Sequence, residues 1–168
     1  LPSLRDKAIL LLGFSGGFRR SELVSLEKSD LEFVSEGLKI TLRKSKSDQY
    51  GEGLVKGIPY FKNTKYCPVI AVQEWISSSD KIGETKLFPC SDKTVALIVK
   101  KYLGLIGMDS NQYSAHSLRS GFATSTAASG ADERSIMAMT GHKSTEMVRR
   151  YIKEANLFKN NALNKLNI

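Results

Sequence analysis

The sequence predicts a mainly α-helical domain that carries one small antiparallel β-sheet, an α+β fold. Three observations lead there. Apolar residues recur at helical spacing along most of the chain. The stretch from residue 31 to 60 instead alternates polar and apolar residues in short runs separated by polar or glycine-containing turns. Residues of capping type stand in front of the later helical runs.

Taken in order, Leu4 to Phe14 is apolar and reads as a helix, and Ser15-Gly16-Gly17 breaks it. The sequence gives no physical reason for two glycines at that point. A short helix resumes over 20–26, with Leu23 and Leu26 on one face, and Ser29-Asp30 ends it. Leu31-Glu32-Phe33 and Leu38 to Leu42 alternate like strands across a Glu36-Gly37 turn. Ser47 to Gly53 is a polar loop, and Leu54 to Tyr60 is the third strand. Pro68 suits the first position of a helix running to about Ser78. Ser91 or Asp92 caps the next, which reaches about Leu103. Ser114 caps a helix over 116–129 that Gly130 closes. Asp132 opens another that Gly141 stops, and Ser144 or Thr145 starts the helix carrying Tyr151 near its end. Beyond it Leu157, Phe158, Ala162, Leu163 and Leu166 fall at helical spacing. Trp75 and the phenylalanines are expected in the core. With no linker, repeat or low-complexity tract, one domain is expected over 1–168.

A chain of 168 residues is long enough for a substantial core, and 41% apolar with 25% charged residues is an ordinary balance for a soluble globular protein. The longest apolar stretch, Ala8 to Phe14, is far short of the roughly 20 residues needed to cross a bilayer, so no membrane association is expected. Leu1 rather than Met at the start fits a piece of a longer polypeptide. Cys67 and Cys90 form no CxxC pair, which argues against a zinc site, and a domain of this size does not need a disulfide. With no secretory signal pattern, residence in the cell interior is expected. The net charge of +8 is concentrated. Residues 43–65 and 142–168 each hold six basic side chains against two acidic ones, and the rest of the chain balances. Two basic segments on a neutral body suit a polyanionic partner.

The chemistry-bearing residues are few. His116 stands in His116-Ser117-Leu118-Arg119, and His142 follows Gly141 nine residues before Tyr151. An arginine cluster with an acidic partner stands early, in Gly17-Phe18-Arg19-Arg20-Ser21-Glu22. Cutting a phosphodiester without a metal needs a nucleophile, fixed cations for the nonbridging oxygens and a proton for the leaving oxygen. Arginine binds two oxygens and stays charged at any working pH. Histidine and lysine move protons. Tyrosine can form a covalent intermediate. Arg19, Lys46, His116, Arg119, His142 and Tyr151 supply every part.

The order arginine, lysine, His-x-x-Arg, Gly-His and tyrosine resembles the tyrosine recombinase, or phage integrase, family along essentially the whole chain. The family's first-arginine motif maps to Gly17-Phe18-Arg19 with Glu22, which selects Arg19 over Arg20. Its turn lysine maps to Lys46 in Ser45-Lys46-Ser47-Asp48-Gln49, with Ser47 where threonine is usual. The resemblance implies a tyrosine recombinase catalytic-domain fold and strand cleavage through a 3′-phosphotyrosyl link. In that mechanism Arg19, Arg119 and His142 hold the scissile phosphate. Tyr151 attacks, His116 takes its proton, and Lys46 protonates the leaving 5′ oxygen. Glu22 is expected as structural support. Arg20, Arg43, Lys44, Lys143 and Arg149 are expected to contact DNA. No metal or other cofactor is implied. The implied partners are a double-stranded DNA target site and further copies of the chain in a homotetramer joined through 155–168, inside a bacterial cytoplasm. The separate DNA-binding domain that precedes this one in the family is not expected within 1–168. A type IB topoisomerase, a telomere resolvase and a noncatalytic DNA-binding regulator are the alternatives.

Overall fold

Helix α1 (Leu4–Ser15) lies at the centre of the larger of two cores. The computed structural model describes residues 3–43, 53–79, 83–113, 116–159 and 161–166. Ser3 caps α1 by accepting from the Asp6 N–H at 3.2 Å, and Ala8, Ile9 and Leu12 are fully buried along one stripe. Burying an isoleucine or leucine side chain of this kind stabilises the fold by about 1.5–3 kcal/mol. Against that stripe pack α3 (Pro68–Ser79), α4 (Asp92–Leu105) and α5 (Ser117–Ala128). The short α2 (Arg20–Ser25) stops where Leu26 turns extended, and a 3-10 turn at Lys28–Asp30 leads into the sheet.

The sheet has the order β1 (Leu31–Val34), β2 (Gly37–Leu42), β3 (Leu54–Pro59), antiparallel throughout. The period-2 alternation holds. Leu38, Ile40 and Leu42 of β2 point inward and Lys39 and Thr41 outward. On β3 the inward positions are Lys56 and Ile58, paired across the ladder with Ile40 and Leu38. A lysine therefore stands in a core row otherwise filled by aliphatic residues.

A second, smaller core joins α5 to α6 (Glu133–Thr140) and α7 (Thr145–Ala155), around Ala123, Ala127, Ile136 and Val148. The expected capping residues do cap: Ser91, Asp132 and Ser144 accept backbone N–H groups at the starts of α4, α6 and α7. Ser114 lies outside the described residues, and His116 occupies the N-cap of α5.

Two expectations need correction. The residues after α7 are not a helix: past Ala155 the described chain forms turns and one 3-10 segment, Ala162–Lys165. Asparagines explain the change, since Asn161 Oδ1 accepts from the Leu163 N–H and Asn164 Nδ2 donates to the Phe158 and Lys159 carbonyls, in place of a helical ladder. Leu157, Phe158, Leu163 and Leu166 are left exposed. The phenylalanines also divide: Phe18, Phe88 and Phe122 are buried, but Phe14, Phe33, Phe61 and Phe158 are exposed, and Trp75 is half-buried with its indole N–H on the Leu87 carbonyl. Among the described residues no helix is long and apolar enough to cross a membrane.

Candidate active site

The site begins where α1 gives way to α2. Arg19 precedes the first residue of α2, and the carboxylate three residues on holds it twice. Glu22 Oε2 accepts from the Arg19 backbone N–H at 2.8 Å, and Oε1 accepts from Nη1 at 2.7 Å. Glu22 is buried, and a buried carboxylate persists only when paired and hydrogen-bonded. The guanidinium of Arg19 stays partly open to solvent, its side chain 23% exposed.

The turn between these helices accounts for the two glycines. Gly17 has φ +56°, and a Cβ there would lie 2.9 Å from Phe122. A Cβ on Gly16 would meet the Phe18 ring at 2.1 Å. Each of the two carbonyls receives a cation. Lys56 Nζ donates to Gly16 O at 2.7 Å, and Arg119 Nη1 donates to Gly17 O at 3.0 Å.

Arg119, on α5, is buried, and its Nη2 is a buried donor with no hydrogen-bond partner among the described residues. Burial, and then the like charge of Arg19, lower its pKa to about 10. Burial also lowers that of Lys56, to about 8, with the Glu22 carboxylate opposing the fall. One buried carboxylate thus faces three cations, Arg19, Lys56 and Arg119. A dehydrated corner with surplus positive charge and an unused donor attracts an anion.

His142 enters from the other core. Gly141 closes α6 in the left-handed conformation (φ 68°), its N–H on the Met137 carbonyl at 2.8 Å, and so turns the next residue toward the arginines. The Thr140 hydroxyl donates to Ile136 O at 3.0 Å, and its oxygen lies 2.7 Å from His142 Nδ1. With that proton committed, Thr140 Oγ1 accepts from Nδ1–H, which leaves Nε2 bare. Burial, then Arg119 and Arg19, lower the His142 pKa to about 4, so the imidazole is neutral at pH 7.

Tyr151 is half-buried against the smaller core, one turn after Val148 on α7. Its hydroxyl donates to Ser120 Oγ at 3.4 Å, on the residue next to Arg119, and phenol and guanidinium interact electrostatically. Helix α7 therefore presents its tyrosine on the same side as the arginines, within one chain.

The structure brings together Arg19, Glu22, Arg119, His142 and Tyr151. His116 stands exposed at the start of α5, its carbonyl accepting from the Ser120 N–H at 2.8 Å. Lys46 and Lys44 lie outside the described residues. Of the expected DNA contacts, Arg20 is drawn to Asp92 (3.8 Å), Arg43 to Asp30 (2.6 Å), and Arg149 to Glu133 (3.0 Å), while Lys143 is exposed. Sequence reasoning missed Lys56, Thr140 and Ser120. Only Lys56 carried a signal, as the charged member of the alternating set Leu54, Lys56, Ile58.

The model of the phage integrase family matches residues 2–157. An integrase/recombinase xerD homolog from Selenomonas ruminantium is 45% identical over 177 residues, covering 99% of this chain and 52% of the relative. Tyrosine recombinase XerC of Syntrophus aciditrophicus is 32% identical over 160 residues, covering 88% and 48%. The chain thus spans about half the length of these curated relatives. The fold matches the crystal structure of XerA recombinase with a TM-score of 0.74 at 21% identity, over 99% of this chain and 58% of that one. It matches XerH recombinase bound to its difH substrate in a pre-cleavage complex with a TM-score of 0.70 at 18% identity, over 88% and 43%. Matched by the family's model over nearly its whole length, and nearly half identical to one of its curated relatives, this chain belongs to the phage integrase family.

Proposed function

We propose that the chain is the catalytic part of a site-specific DNA recombinase that cleaves and rejoins strands through a 3′-phosphotyrosyl link to Tyr151. The observation that carries this reading is the buried Nη2 of Arg119, without a partner among the described residues, beside Arg19 and with the Tyr151 phenol on the same side. A phosphodiester supplies the missing anion, and its phosphorus then lies between the guanidiniums and the nucleophile. Structural neighbours include XerH bound to difH and a Tn1549 transposon integrase in complex with transposon right end DNA, which supports a duplex DNA partner.

Arg19 and Arg119 take the nonbridging oxygens and stabilise the charge that builds there. Preorganised donors of this kind are each worth roughly 10²–10³ in rate. Tyr151 Oη forms the bond to phosphorus as the bond to the deoxyribose 5′ oxygen breaks. The phenol, whose ordinary pKa is about 10, gives its proton to His116, and Lys46 supplies one to the leaving oxygen. A bound phosphate offsets the arginines, so His142 takes up a proton and becomes a third donor. Attack by a 5′-hydroxyl of a partner strand reverses these roles and releases the enzyme. The link keeps the energy of the broken bond, so no ATP is needed, and the fixed guanidiniums take the charge-stabilising part that a metal would play. The exposed Leu157, Phe158, Leu163 and Leu166 after α7 suit docking onto a second copy within a tetramer on DNA.

A suicide substrate nicked just downstream of the scissile phosphate tests the reading, because the short fragment bearing the freed 5′-hydroxyl diffuses away and leaves the adduct trapped. The wild-type protein accumulates covalent protein–DNA complex in the presence of EDTA, and Tyr151→Phe gives none. Adducts that persist in Tyr151→Phe would discard the assignment.

A further inference from the structure

We infer that Lys56 is a positioning residue for strand cleavage, its ammonium fixing the Gly16–Gly17 turn from which both phosphate-binding arginines are set. The inference rests on the reading of the arginine corner as a phosphoryl-transfer site.

Geometry carries it. Lys56 is 1% exposed on the core-facing row of β3, where the ladder places it opposite Ile40. An aliphatic side chain would fit that row without desolvating a charge, and burying an ammonium is costly unless it is well paired. Among the described residues no carboxylate forms an ion pair with it. Its hydrogen bond goes to the Gly16 carbonyl at 2.7 Å, and its Nζ lies 4.1 Å from the centre of the Phe18 ring. Those two partners flank Gly17, whose carbonyl receives Arg119 Nη1 at 3.0 Å. Phe18 immediately precedes Arg19. One side chain therefore holds the turn from below at Gly16 and presses the residue that leads into the first arginine, while the second arginine hangs on the carbonyl between them. A displacement of the turn by a fraction of an ångström would move both guanidiniums relative to the phosphorus, which is the error that cleavage tolerates least. Burial weakens the ammonium's hold on its proton, and the carboxylate that clamps Arg19 opposes that.

Lys56 reaches the reaction through the backbone, so its loss should separate cleavage from binding. The test uses the full-length protein and the nicked substrate, with Lys56→Met, which keeps length and volume without charge or donor, and Lys56→Gln, which keeps a donor without charge. Folding is followed by thermal unfolding, DNA affinity by titration, and cleavage by the single-turnover rate of adduct formation on saturating DNA. The expected result is Lys56→Met that melts within a few degrees of wild type, binds DNA within about threefold and forms adduct at least tenfold more slowly. Cleavage at the wild-type rate overturns the inference. So does a fall in cleavage that only tracks weaker binding. If Lys56→Met does not fold, Lys56→Gln decides by the same two readouts, and failure of both to fold makes Lys56 a stability residue and overturns it as well. Adduct formation by the wild type with none by Tyr151→Phe keeps the functional reading intact whichever way Lys56 falls.

Discussion

The two sides of the site are built in opposite ways. The cationic side is dry and multiply held: Glu22 grips Arg19 at two atoms, successive carbonyls of one turn hold Lys56 and Arg119, and both of the latter are buried. The side of the proposed nucleophile is lightly held. Tyr151 is half-buried on the smaller core, and among the described residues its hydroxyl has a single long hydrogen bond, 3.4 Å, to Ser120. Like charges repel where they are fixed, so the cations need a scaffold stronger than their repulsion. On the proposed mechanism the phenolic oxygen must travel to phosphorus, so a weak hold costs little. The division follows the two cores, and among the described residues α5 and α6 reach both, α5 through Leu118 and Ala123 and α6 through Met139 and Ile136.

The largest effect is expected from the rigid side. Arg119→Ala removes the buried donor and leaves Gly17 O unpaired. Single-turnover cleavage should fall by about 10²–10³, and denaturant titration should show a loss of about 1–3 kcal/mol for the orphaned carbonyl. A rate within tenfold of wild type would mean that the scaffolded cations are not what the reaction depends on.

A middle effect is expected from His142, which joins the two sides. Its pKa, ordinarily 6.5, is lowered to about 4 by burial and then by Arg119 and Arg19. The folded protein therefore binds fewer protons there than the unfolded chain. That contribution to stability is complete above about pH 6.5 and is lost as pH falls toward 4. Between pH 7 and pH 4, His142→Gln should lose less stability than wild type in chemical denaturation. Parallel curves would place the imidazole in solvent rather than against the arginines. The smallest effect belongs to Ser120→Ala, with stability changed by no more than about 0.5 kcal/mol and cleavage within about threefold. A tenfold loss would show the phenol to be posed as firmly as the cations, and the contrast between the sides would fail.

The helices and the sheet were legible because their signals are local. Ser91, Asp132, Ser144 and Gly141 each satisfy backbone groups within a few residues, and the alternation in β2 reports burial directly. Arg19, Glu22, Arg119, His142 and Tyr151 were picked out by their resemblance to the family's motifs, and the structure brings them together. Lys56 was not, because a lysine in a strand ordinarily faces water, and only the register opposite Ile40 shows it turned inward. The glycine pair was equally opaque, since its reasons lie at Phe18 and Phe122 and in cations 40 and 102 residues away. The segment after Ala155 misled for the converse reason: its apolar spacing was helical, but asparagine side chains compete for the backbone.

The carbonyls of Gly16 and Gly17 lie at the carboxyl end of α1, where aligned peptide dipoles leave roughly half a negative charge. The central rod of the larger core thus ends its negative pole beside two buried cations, a counter-charge added to that of Glu22 and one that no protonation removes. Its other pole, capped by Ser3, is about 18 Å away. A change of charge at that distant end would leave this counter-charge in place, since the field of a helix terminus is felt within its own last turn.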